Sequence, residues 1–151
     1  MTTKITSIYD AIIDKLEVIL PARTRIPNPY ELLDNPYQFL KNGWGLRYDG
    51  GERFPFEICN RRDSHSFAII LTQEFLRVES RQDAFDDPTK SLLEDIHLCK
   101  ETFFAVDNIG NQDIMKIDVT TNTPLETVSG DKYNLLKIEV AVIIEFFEEI
   151  I

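Results

Sequence analysis

The sequence predicts a single α+β domain: a four-stranded, mostly antiparallel sheet, built in the order helix, hairpin, helix, hairpin, with the helices on one face. Three observations lead there. The 151 residues suit one compact domain with a core of its own. Two segments repeat apolar residues at helical spacing, and four others alternate them at strand spacing. The strands follow one another in pairs, which favours sequential hairpins over parallel crossovers.

Each element has its own justification. Ile5, Ile8, Ile12, Leu16 and Ile19 recur at helical spacing, with Ile13 and Leu20 widening the stripe. Thr2 or Thr3 is placed to cap this helix, and Pro21 stops it. Residues 22–53 follow with weak periodicity, carrying Pro27, Pro29 and Pro36 and then four of the six glycines. Beyond a short helix over 30–40, this stretch reads as a long loop or interaction arm. Strands are expected at 54–60 and 65–80, the second placing Phe67, Ile69, Leu71 and Phe75 on one face, with a polar turn at 61–64. Asp87 and Pro88 suit the N-cap and first position of a second helix, with Leu92, Ile96, Cys99, Phe103 and Val106 inward and an end at 108–110. The third strand is placed at 113–121 and the fourth at 133–150, with a loop at 121–131 between them. Ile138, Val140, Val142, Ile144 and Phe146 share one face of the fourth strand. The other face is also half apolar, which points to a partner.

Composition narrows the function classes. Apolar residues make up 43% and charged residues 28%, as in folded soluble domains. The net charge of −10 opposes nucleic-acid binding, which runs on Lys and Arg, although an acidic wall lets DNA pass without sticking. Cys59 and Cys99 are too few for a disulfide framework and read as buried free thiols in a reducing compartment. The N-terminal stretch carries acids within its apolar run, so no signal peptide is expected, and no run approaches a membrane span.

No segment carries a catalytic pattern. The cluster at 42–52, NGWGLRYDGGE, spaces Gly45 and Gly50 like a phosphate loop, but Gly51 and Glu52 stand where Lys and Ser/Thr belong. Its reading is turns and close backbone approach. Asp63, Ser64 and His65 are adjacent in the chain, whereas a triad needs side chains converging from separate segments. His97 and Cys99, two apart on a helix, point to different sides and do not share a metal ion. No catalytic, cofactor or metal residues are therefore assigned. The residues expected at a subunit or partner interface are Trp44, Leu46 and Tyr48 as apolar anchors, with the basic Arg53, Arg61 and Arg62 facing acidic neighbours. On that reading, truncating Trp44 weakens assembly more than it unfolds the monomer.

Four phrases carry a family resemblance: LKNGWGLRYDGG (40–51), FAIILTQEF (67–75), SLLEDI (91–96) and the closing YNLLKIEVAVIIEFFEEI (133–150). In this order they resemble the small tail-terminator and head–tail connector (neck) proteins of tailed bacteriophages. The resemblance implies a structural virion protein, not an enzyme, assembled in the host cytoplasm into a homo-oligomeric ring, often of six copies. Such a ring terminates or joins the tail tube, contacts connector and tail-tube proteins, and lets DNA through its bore without specific binding, cofactor or membrane. The alternative is a small-molecule or peptide-binding module with Trp44, Tyr48 and Phe54 as an aromatic platform. A hydrolase built on Asp63, Ser64 and His65 is the third reading.

Overall fold

Helix α1 (Lys4–Ile19) forms where the isoleucine stripe predicts it. Thr3 is its N-cap, and Thr3 and Thr6 close a reciprocal capping box that satisfies two otherwise unpaired backbone donors. The computed structural model describes residues 3–55, 60–75, 83–129 and 134–149. In it Ile8, Ile12, Ile13, Leu16 and Leu20 are buried, each worth roughly 1.5–3 kcal/mol of apolar burial.

The domain is α+β, but the sheet is larger than four strands and is mixed. Its six strands are β1 (Thr24–Arg25), β2 (Asn42–Pro55), β3 (Asn60–Glu74), β4 (Lys116–Asp118), β5 (Glu126–Ser129) and β6 (Asn134–Glu149). The order is β1-β2-β3-β6-β4, with β5 also paired to β6. β1 runs parallel to β2, while every other pairing is antiparallel.

The largest correction concerns residues 42–52, which are strand and not loop. All four glycines of the cluster lie in β2, in continuous register with β3 apart from one bulge between Tyr48 and Gly50. Gly50 holds φ at +120°, a conformation open to glycine, and the bulge needs it. Residues 61–64, expected as a turn, likewise belong to a strand. They pair with β2 on one side and β6 on the other, because Asp63 finds its counter-charge across the strands in Arg53. Residues 56–59, the rest of the first expected strand, lie outside the described residues.

Residues 22–41 pack against the sheet. Arg23 is buried and ties this segment to α3 (Asp83–Thr102) through Asp95 at 2.5 Å, while also donating to the Thr72 carbonyl at 2.8 Å. Asn35 donates to the carbonyls of Asn28 and Glu31, closing the proline-rich loop. A 3₁₀ turn (Leu32–Asp34) and the short α2 (Tyr37–Leu40) follow. Leu40 joins Ile26, Ile70 and Leu135 in a small cluster on one face of the sheet. The helices are therefore not all on one side: α1 and α3 cover the main core, and α2 caps the opposite face.

Helix α3 begins at Asp83, so Pro88 lies inside it and not at its first position. Leu92, Ile96, Cys99 and Phe103 are buried as its stripe predicts, and Val106 packs at the edge. The main core joins these to α1 and to one face of the long strands: Trp44 and Leu46 of β2, Phe67, Ile69 and Leu71 of β3, and Ile138 to Phe146 on alternate positions of β6. Part of the 121–131 stretch, expected as loop, forms β5.

The long strands outrun the helix that covers them. Strands of 14 to 16 residues extend roughly 50 Å at about 3.4 Å per residue, whereas the 16 residues of α1 rise only about 24 Å. The start of α1 is pinned where Lys4 donates to the Phe147 carbonyl at 2.8 Å. Phe147 pairs with Arg62, and Arg62 with Phe54, so α1 starts level with the far end of β2 and β3.

Candidate assembly interface

The sheet end level with the start of α1 gathers the basic residues that the sequence singles out. Arg53 and Asp63 face each other across β2 and β3, joined by a forked pair of hydrogen bonds at 2.6 and 2.8 Å. The Arg53 guanidinium holds the Asp63 carboxyl below the usual carboxylate range, against the opposing cost of partial burial. The same bond, reinforced by the Asp63 charge, raises the pKa of Arg53, whose side chain stays about half exposed. Arg61 is exposed. Arg62, on the opposite face, lies 4.7 Å from the centre of the Phe54 ring, and its Nε is buried with no hydrogen-bond partner among the described residues.

Trp44 and Leu46 are placed elsewhere. They are 1% and 3% exposed, enclosed by their own chain, with the Arg25 guanidinium 5.6 Å from the Trp44 ring centre. Tyr48, on the same face as both, is 41% exposed and marks where the core gives way to surface. Phe54 faces the other side of the sheet from Trp44 and Tyr48, since its register partner is Arg62 and theirs are Leu71 and Phe67. The three rings do not form one platform. Strand alternation also separates Ser64 from Asp63 and His65, so no triad geometry exists there.

Around Tyr48 the structure brings together residues that sequence reasoning leaves apart. Ile5, Thr6 and Tyr9 of α1 with Tyr48, His65 and Phe67 of the sheet line an open, largely apolar cavity of about 320 Å³. The Tyr48 hydroxyl and His65 Nδ1 are 2.9 Å apart, and the His65 ring stacks on Phe146 at 5.5 Å between centres. Gly51 makes this possible: a Cβ there would lie 2.7 Å from both His65 Nδ1 and the Tyr48 hydroxyl. Burial lowers the pKa of His65; the nearby Asp63 charge opposes that shift and the Arg53 charge adds to it.

On the face away from α1, Arg47 is held between Asp49 at 2.6 Å and Glu139 at 2.5 Å. The bond to Asp49 raises the Arg47 pKa, and Glu139 adds to it against desolvation. These residues rim a groove of about 220 Å³ floored by Ala68 and Ala141. Its arginine is already neutralised by two carboxylates, so it offers no free charge to a ligand.

Sequence reading misses the contribution of α1 to the cavity, because Ile5 and Tyr9 read only as helix periodicity. It also misses Phe104, which is 80% exposed. A signal for Phe104 exists: adjacent Phe103 and Phe104 cannot both face inward from one helix.

Among the described residues no group of three or more His, Cys, Asp or Glu is arranged to hold a metal ion. No helix among them is long and apolar enough to cross a membrane. No protein-family model matches the chain, and no curated protein matches it in sequence.

Proposed function

We propose that this protein is a structural subunit that assembles into a homo-oligomeric ring, of the kind that terminates or joins the tail tube of a tailed phage. The observation that carries the reading is the exposed Arg61 at the far end of β3, in a chain of net charge −10. At that end, level with the start of α1, Arg61 and Arg62 stand beside Arg53, whose own charge is paired with Asp63. Such an end suits the acidic flank of a neighbouring copy, where opposite potentials speed encounter and fix register. One surface meeting a different surface on the next copy is a heterologous contact, and a ring is its closed form. The remaining acidic surface fits a bore through which DNA slides without being held.

The resemblance of residues 40–51, 67–75, 91–96 and 133–150 to tail-terminator and connector proteins supplies the biological setting, and six copies is the ring size it favours. The protein acts by position and not by catalysis. Its partners on this reading are further copies, the connector or adaptor below the head, and the tail tube.

Negative-stain images of the purified protein at low and high salt test this. Rings that disperse when Arg61 and Arg62 are both replaced by Glu, in a variant with an unchanged circular dichroism spectrum, are the expected result. Rings indifferent to that reversal would remove the basic sheet end from the interface.

A further inference from the structure

We infer that Phe104 of one copy seats in the Ile5–Tyr9–Tyr48–His65–Phe67 cavity of the next, as the apolar lock of the ring contact; this rests on the ring reading. Phe104 is the most exposed large apolar side chain among the described residues, at 80%. It is not on a loose tip. Phe103 beside it is fully buried, Asn108 Nδ2 donates to the Thr102 carbonyl at 2.9 Å, and the Asn108 amide donates to the Ala105 carbonyl at 3.1 Å. The turn that carries Phe104 is thus fastened at both ends while its ring stands in water. A rigidly presented aromatic loses little freedom on docking, which is what an anchor residue requires.

The cavity is its counterpart in shape and chemistry. Its volume of about 320 Å³ accommodates a phenyl ring, and Tyr9, Tyr48 and Phe67 offer ring faces and edges on three sides. Tyr9 and Phe67 lie 6.2 Å apart between ring centres, and Tyr48 and Phe67 5.4 Å, both tilted, so the walls are already packed before a guest arrives. The polar atoms of the floor, the Tyr48 hydroxyl and His65 Nδ1, satisfy each other and ask nothing of the guest.

Charge and position select a second copy as the occupant. Phe104 is flanked by exposed Glu101 and Asp107, and the free charge beside the cavity is that of Lys4, since Arg53 is paired with Asp63. The cavity sits between the start of α1 and β2–β3. Phe104 belongs to the segment running from α3, whose Lys100 reaches Asn122 beside β6, into β4 at the edge of the sheet away from β2. Knob and socket are therefore different surfaces at different sides, and joining them generates a head-to-tail contact, not a two-fold one.

Complementation tests this. Phe104→Asp destroys the knob and keeps the socket, while Thr6→Trp fills the socket and keeps the knob. Phe104 and Thr6 are both exposed; Thr6→Trp gives up the capping box with Thr3, so a cooperative melting transition, lowered by no more than the loss of that cap, confirms that each variant folds. Each variant alone is expected to stay monomeric by native mass spectrometry, and their equimolar mixture to give one-to-one heterodimers and no larger species. Phe104→Tyr is expected to keep the ring. Rings formed by Phe104→Asp alone would overturn the assignment and leave the ring reading standing. Assembly blocked by Thr6→Trp but not by Phe104→Asp would show that the cavity takes another guest, which also overturns it. A wild-type protein that never assembles would remove the ring reading and this inference together.

Discussion

Replacing Trp44 by alanine removes the largest of the fully buried side chains, one that is 1% exposed and packed in the main core. Its neighbours on the sheet are fixed by register: Leu71 beside it on β3, and Ile138 beyond on β6. Those strands are long and paired on both sides, so the site collapses poorly once the indole is gone. Trp-to-Ala changes in such settings cost about 3–5 kcal/mol. Set against a total stability of about 5–15 kcal/mol, that is roughly a fifth or more of what holds the domain together. With a urea slope near 2 kcal/mol/M, the unfolding midpoint moves down by about 2 M. Trp44 is the only tryptophan, so the transition is followed by far-ultraviolet circular dichroism, at several protein concentrations. A concentration-independent shift of that size is expected. A shift under about 0.5 M, accompanied by loss of assembly, would refute the core placement and make Trp44 an interface residue, as its place in a glycine-rich stretch first suggests.

Other outcomes rest on particular contacts. Arg23→Met leaves Asp95 and the Thr72 carbonyl without their guanidinium, and a loss of about 3 kcal/mol in denaturant unfolding is expected; a loss below about 0.5 kcal/mol would mean residues 22–41 are held by other means. The Cys99 thiol is buried, which pushes its pKa up to about 12, so in a Cys59→Ser background it should resist iodoacetamide at pH 8 until urea unfolds the chain; labelling of the native protein at the rate of a free thiol would contradict this. Because the folded-state pKa of His65 lies below its unfolded value, the unfolded chain binds the extra proton first. Stability is therefore full above about pH 6.5 and falls as pH drops from there through the folded-state pKa. His65→Gln should flatten that slope in thermal melts, and an unchanged slope would assign it to other groups.

Much of the fold is legible because burial writes a period into the chain. The stripes of α1 and α3 and the inward positions of β3 and β6 are all readable that way, and each ends in the core. What misleads is chemistry that looks like a turn. Gly43, Gly45, Gly50 and Gly51 and the polar run at 61–64 carry loop composition. They are strand because their partners lie across the sheet: Asp63 answers Arg53, and Gly51 makes room for the Tyr48–His65 pair. Such reasons are long-range and leave no local mark. The short β1, β4 and β5 are too brief to show alternation at all. The interface candidates divide the same way. Arg53, Arg61 and Arg62 stand out because charge is visible in a sequence, whereas the cavity needs α1 laid across β2 and β3 before it exists.

Closure of copies into a ring through unlike surfaces is the proposal on which the knob, the socket and the basic sheet end all depend. A native mass spectrum of the purified wild-type protein decides it. A single dominant species of defined copy number, six being the favoured value, that dissociates with rising salt is the expected result. A strict monomer at every concentration, on its own and with tail tubes or connectors added, would contradict it.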